Sequence, residues 1–137
     1  PGVEQVINAK SGNVSEQLAT ITNGDMPTVT IDCTGNQQAI NNSLQYLAHG
    51  GRYVLIGLQK ADLIFSHPEF HKRETTLMSS RNATRKDFKH VMQSIEEGLI
   101  KPADFITQRI AFDKLKEEFE SLLNPEIGTI KAMVHMD

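Results

Sequence analysis

Apolar and polar residues follow two rhythms along this chain, and together they predict an α/β protein. Short apolar or β-branched runs mark strands. These are Val6-Ile7 within residues 4–9, Val29-Thr30-Ile31-Asp32-Cys33, Tyr53-Val54-Leu55-Ile56, and the stretches 63–66 and 75–80. Between them lie helical spacings. Asn13-Val14-Ser15 opens a helix that carries Leu18 and Ile21 and stops at Asn23-Gly24. Residues 37–49 place Ile40, Leu44 and Leu47 on one face ahead of Gly50-Gly51. Tyr53 to Ile56 is continuously apolar, as in a strand of a parallel sheet covered on both faces.

From residue 84 the grammar changes. Thr84 and Asp87 have the spacing of a capping box. Phe88, Val91, Met92 and Ile95 then stripe a helix closed by Gly98. Residues 106–112 alternate, with Ile106, Ile110 and Phe112 sharing one parity. Leu115, Phe119, Leu122 and Leu123 mark another helix, and 129–136 a last strand.

Composition narrows the function classes. The 137 residues carry a formal net charge of -3, with 39% hydrophobic and 23% charged residues. That describes an ordinary globular chain with no basic surface for nucleic acid and no apolar run long enough for a membrane span. One cysteine, Cys33, forms no internal disulfide and fits a reducing, cytoplasmic setting. A small buried strand residue is the expectation for it. The five histidines, His49, His67, His71, His90 and His135, do not cluster as metal ligands. His67 and His71 are four apart but Pro68 lies between them, so no metal site is assigned. Residues 72–74 read as a solvated loop.

Three ordered segments resemble the zinc-type medium-chain alcohol and polyol dehydrogenases, the sorbitol, threonine and sugar-acid branch in flavour. They are Val29 to Gly35 with the following helix and Gly50 to Gly57; Thr75 to Arg81 with a helix and Gly98-Leu99-Ile100-Lys101-Pro102; and Ile106 to Phe112 with a helix and Gly128-Thr129-Ile130-Lys131-Ala132. The resemblance implies a fold class. Residues 1–105 would be the second half of a Rossmann-like parallel sheet that binds a nicotinamide cofactor. Residues 106–137 would be the terminal strand-helix-strand returning to a catalytic domain. The glycine-rich phosphate loop and the zinc ligands would lie ahead of Pro1.

Ligands of open α/β sheets bind at the carboxyl ends of the strands. The resemblance accordingly implies that Cys33, Thr34 and Gly35 lie at the adenosine half of NAD or NADP. It places Ile56, Gly57 and Leu58 at the nicotinamide, with Ser80 and Arg81 beside it and Lys131 toward the pyrophosphate. Each also fits a plainer role: a strand-to-helix turn, a turn glycine, a solvated Arg, a Lys on an exposed strand face. No residue here is assigned as acid, base, nucleophile or metal ligand. The implied parent moves a hydride between NAD(P) and a secondary alcohol or its ketone, using zinc held elsewhere. A zinc-independent quinone or enoyl reductase of the same superfamily and a non-catalytic binding module are the alternatives. The resemblance further implies a homo-oligomer through the cofactor domain, with Leu63-Ile64-Phe65 at the edge.

Overall fold

The computed structural model describes residues 2–136. The chain packs as two compact units, Gly2–Asn82 and a second from Ala83 onward. Each is described by itself.

The first unit contains helix α1 (Val14–Ile21), strand β1 (Val29–Asp32), helix α2 (Gln37–Ser43), strand β2 (Arg52–Leu55), helix α3 (His67–Lys72) and strand β3 (Thr76–Ser79). The strands form one parallel sheet in the order β1-β2-β3. Asn13 and Asn36 cap α1 and α2 through their side-chain oxygens, as turn-forming residues ahead of helices should. The alternation of the strands sends Tyr53, Leu55 and Leu77 to one face. There Tyr53 and Ile40 of α2 join Leu47 in the core, with Leu44, Leu55 and Leu77 packed against them. The Tyr53 hydroxyl donates to the Ile40 carbonyl at 3.2 Å. Burial raises the phenol's pKa against a lowering hydrogen bond with Ser43, and the Asp32 charge raises it further.

Several expectations need correction. Val6-Ile7 forms no strand, and Val6 is 87% exposed. A β-branched pair has the right propensity, but a strand exists only as part of a hydrogen-bonded ladder. The helix predicted over 37–49 ends at Ser43 and tightens into a 3-10 turn over Leu44–Tyr46. Leu47 is then extended and fully buried, and the Ala48 N–H donates to the Pro27 carbonyl at 2.9 Å. The chain thus leaves the helix early to begin running beside β1. Residues 63–66 are not a strand either. The Ile64 N–H donates to Asn41 Oδ1, Phe65 meets Phe70 at 5.1 Å, and Ser66 caps α3. Pro68 sits in the first turn of that helix, where its missing N–H costs nothing.

Nor is Arg73 a solvated loop residue. Its guanidinium donates to the Leu47 carbonyl at 2.7 Å, and its own carbonyl accepts from the Gly50 N–H at 2.7 Å. These two bonds tie the end of α3 to the turn before β2. The sheet is also not covered on both faces among the described residues of this unit. Ile31, Val54 and Met78 form one register row, with Ile31 and Met78 exposed.

The second unit contains α4 (Arg85–Glu96), β4 (Ile106–Ala111), α5 (Leu115–Leu122) and β5 (Lys131–His135). The capping box forms as predicted, with Thr84 and Asp87 each bonding the other's backbone N–H. β4 and β5 pair in parallel, with an irregularity between Ile106 and Gln108. Thr107 Oγ1 bridges it, donating to the Lys131 carbonyl and accepting from the Ile130 N–H. Ile110 is buried, while Phe112 leaves the strand for a 3-10 turn and is exposed. The predicted stripe of Phe88, Val91, Met92 and Ile95 is helical but exposed. No helix among the described residues is long and apolar enough to cross a membrane.

Leu47 is the tightest part of the first core, so Leu47→Ala is expected to cost about 2–5 kcal/mol, as large-to-small core changes do. Tyr53→Phe should cost about 1 kcal/mol through the lost hydrogen bonding of its hydroxyl. Urea unfolding measures both, and equal costs would show that the core is not centred on Leu47.

Candidate functional site

The carboxyl ends of β1 and β2 are held together by one acidic residue. Asp32, the last residue of β1, is 6% exposed. Its carboxylate accepts the Thr34 hydroxyl at 2.6 Å, the Thr34 N–H at 3.2 Å and the Gly35 N–H at 3.1 Å. Its backbone carbonyl accepts the Ile56 and Gly57 N–H groups, both at 2.9 Å. Thr34 Oγ1 in turn accepts from the Asn36 N–H, and Asn36 caps α2. Burial pushes the Asp32 carboxyl upward, but the hydrogen bonds from Thr34 and Gly35 outweigh it and hold the group below its ordinary value of 3.8.

This fastening brings two glycines against each other. Gly35 has φ +60, and a Cβ there would lie 2.6 Å from the Leu58 carbonyl oxygen. A Cβ on Gly57 would overlap the Gly35 nitrogen and lie 2.5 Å from Asp32 Oδ2. The β1 turn and the loop after β2 therefore cross at a separation that only residues without side chains allow.

Beside the crossing opens a groove of about 440 Å³. Leu55, Ile56, Gly57 and Leu58 line one part, and Ser79, Ser80 and Arg81 another. Ile40 and Leu63 contribute further apolar surface. The Ser80 N–H donates to the Leu55 carbonyl at 3.0 Å, which fixes the two strand ends relative to each other. An apolar hollow of this size with one cation at its wall suits a flat organic ring carrying a polar substituent.

Five of the sequence candidates, Ile56, Gly57, Leu58, Ser80 and Arg81, thus line one groove. Thr34 and Gly35 stand at the crossing behind it. Cys33 lies beyond the end of β1 and is exposed, so the expected buried strand cysteine is corrected. Asp32 had spent its side chain on the turn, which carries the chain outward immediately after it. Lys131 begins β5 in the second unit, with its side chain exposed. Sequence reasoning passed over Asp32, although an acid followed by Thr-Gly at a strand end is the pattern of a side-chain-closed turn. Among the described residues, no three His, Cys, Asp or Glu side chains gather as a metal-binding group. The groove has the volume and lining to admit a flat ring such as nicotinamide, whereas the described residues hold no donor set that fits zinc.

The family described as "zinc-binding dehydrogenase" matches residues 1–97. L-galactonate-5-dehydrogenase of Escherichia coli K12 is 42% identical over 115 residues, covering 84% of this chain and 34% of that protein. An NAD-dependent alcohol dehydrogenase of Sulfurisphaera tokodaii is 28% identical, covering 90% of this chain and 35% of its own length. The chain therefore spans about a third of the curated relatives it matches. Among solved structures, 2R,3R-butanediol dehydrogenase of Bacillus subtilis superposes with TM-score 0.85 at 20% identity, covering 96% of this chain and 38% of that one. A short chain alcohol dehydrogenase of E. coli CFT073, solved with NADH, gives 0.84 at 22% identity, covering 98% and 39%. Both likenesses establish the fold: part of a larger parallel α/β chain.

Gly57→Ala is expected to destabilise the first unit by about 1–3 kcal/mol, the range for overpacking. A stability equal to wild type in urea would show that the crossing is loose. Asp32 also predicts an acid limb. Its folded pKa is lowered, so its contribution is present above 3.8 and is lost as pH falls through the folded value. Unfolding free energy measured against pH should show this loss in wild type and a flatter acid limb in Asp32→Asn.

Proposed function

The chain belongs to the zinc-binding dehydrogenase family, and on that premise we propose that it forms the nicotinamide side of the cofactor cleft in an NAD(P)-dependent alcohol or polyol dehydrogenase. The observation that carries this is the groove beside the Gly35–Gly57 crossing, with Ile56, Gly57 and Leu58 on one side and Ser80 and Arg81 on the other. Gly57 presents its backbone to the groove while its missing side chain makes room for the Gly35 turn. Ile56, Leu58 and Leu63 exclude water from one of its faces. Arg81 offers a fork of donors to a carboxamide oxygen or a phosphate.

Bound nicotinamide supplies or accepts the hydride, and this chain's part is to hold and orient the ring. Cys33, Thr34 and Gly35 are proposed for the adenosine half. Lys131 is proposed as a point charge for an anionic group, on the resemblance of the Gly128–Ala132 segment. The substrate proposed is a secondary alcohol, polyol or sugar acid, in line with the names of the relatives. Zinc, where used, would be held by residues outside this chain. Residues 1–105 are proposed as cofactor domain and 106–137 as the return to a catalytic domain, with assembly into an oligomer near Leu63-Ile64-Phe65.

The test uses the protein that carries this chain. Titration with NADH and NADPH is expected to show saturable binding of at least one. Arg81→Ala should raise the cofactor KM about tenfold, equivalent to ~1.4 kcal/mol. Absence of binding by both coenzymes would overturn the proposal.

A further inference from the structure

We infer that Asp32 is a positioning residue for the cofactor groove, setting the place of Gly57 while touching no ligand itself; the inference rests on the nicotinamide reading above. Asp32 is buried at the end of β1 and does not line the groove, yet it fastens both strands of the crossing. Its carbonyl holds the Ile56 and Gly57 N–H groups, and its carboxylate holds Thr34 and Gly35. The partner of every one of these bonds is a donor. The site is therefore built for a group that only accepts.

An amide cannot replace it cleanly. Asparagine has one acceptor oxygen and an NH2 that only donates. Turned one way, the NH2 meets the Gly35 N–H. Turned the other, it meets the Thr34 N–H and hydroxyl. Relief comes only from moving the turn, and the turn has no slack. The space a Gly57 side chain would occupy is already filled by Gly35 backbone and by Asp32 Oδ2. Any shift of Gly35 is thus passed to Gly57, whose backbone forms part of the groove wall. Because Asp32 does not line the groove and acts through Gly57, the loss falls on cofactor binding and not on the chemical step.

The experiment is Asp32→Asn in the full protein that carries this chain, with NADH and NADPH titrations, steady-state kinetics at saturating cofactor, and melting of the cofactor-free protein. The expected result is a rise of about tenfold in cofactor Kd and KM. The effect should appear there and not in kcat; some loss of melting temperature accompanies it, because the turn gives up its charged acceptor. Thr34→Val, which removes the hydroxyl on Asp32, should weaken cofactor binding several-fold, and Thr34→Ser should restore it. Wild-type affinity in Asp32→Asn would overturn the inference alone. A fall of kcat at saturating cofactor as large as the fall in affinity would also overturn it, making Asp32 a general folding residue. Failure of the wild type to bind either coenzyme would overturn the cofactor reading and this inference with it.

Discussion

The first unit depends on a buried carboxylate that finds all its partners within a few residues. Two neighbouring strands of a parallel sheet must end together, and the loops leaving them compete for the same space. Here the competition is resolved by giving neither loop a side chain at the meeting point and by gathering both loops' N–H groups on Asp32. A buried charge is normally costly. This one is offset by hydrogen bonds that favour its ionised form, so the turn it closes is also the least adjustable part of the sheet's rim.

That rigidity is what would let a groove with so little chemistry serve as the proposed site. Its walls are mostly aliphatic and backbone, with Arg81 as the cation. What it offers is shape, and the shape is held by the β2–β3 ladder on one side and the Asp32 fastening on the other. The proposed share of a chain spanning about a third of its relatives is thus one wall of a binding cleft.

The strands of this architecture were legible in the sequence because β-branched runs such as Val29 to Ile31 and continuous apolar runs such as Tyr53 to Leu55 have few other uses. Glycines at strand ends pointed to the groove for the same reason. The misreadings share a cause, which is that local pattern does not say where hydrogen bonds will go. Leu63 to Phe65 looks like a strand, but Asn41 and Phe70 claim it. Pro68 looks like a helix breaker until its position in the first turn is known. Leu47 has helical spacing, yet the core draws it out of the helix. Asp32 looked like the end of a strand, and its role became visible only once Gly57 was placed beside Gly35. That meeting joins residues distant in sequence, and no spacing rule records it.

The strand pairings also bear on how the chain comes to be folded. β1 with β2, β2 with β3, and β4 with β5 each join strands consecutive in sequence. Every ladder closes over a single helical crossover, and loop-closure entropy rises only slowly with length. Among the described residues, no pairing waits for a distant part of the chain. As the polypeptide leaves the ribosome, each ladder has both of its strands as soon as one crossover has emerged, so assembly can keep pace with synthesis and leave few strand edges waiting unpaired.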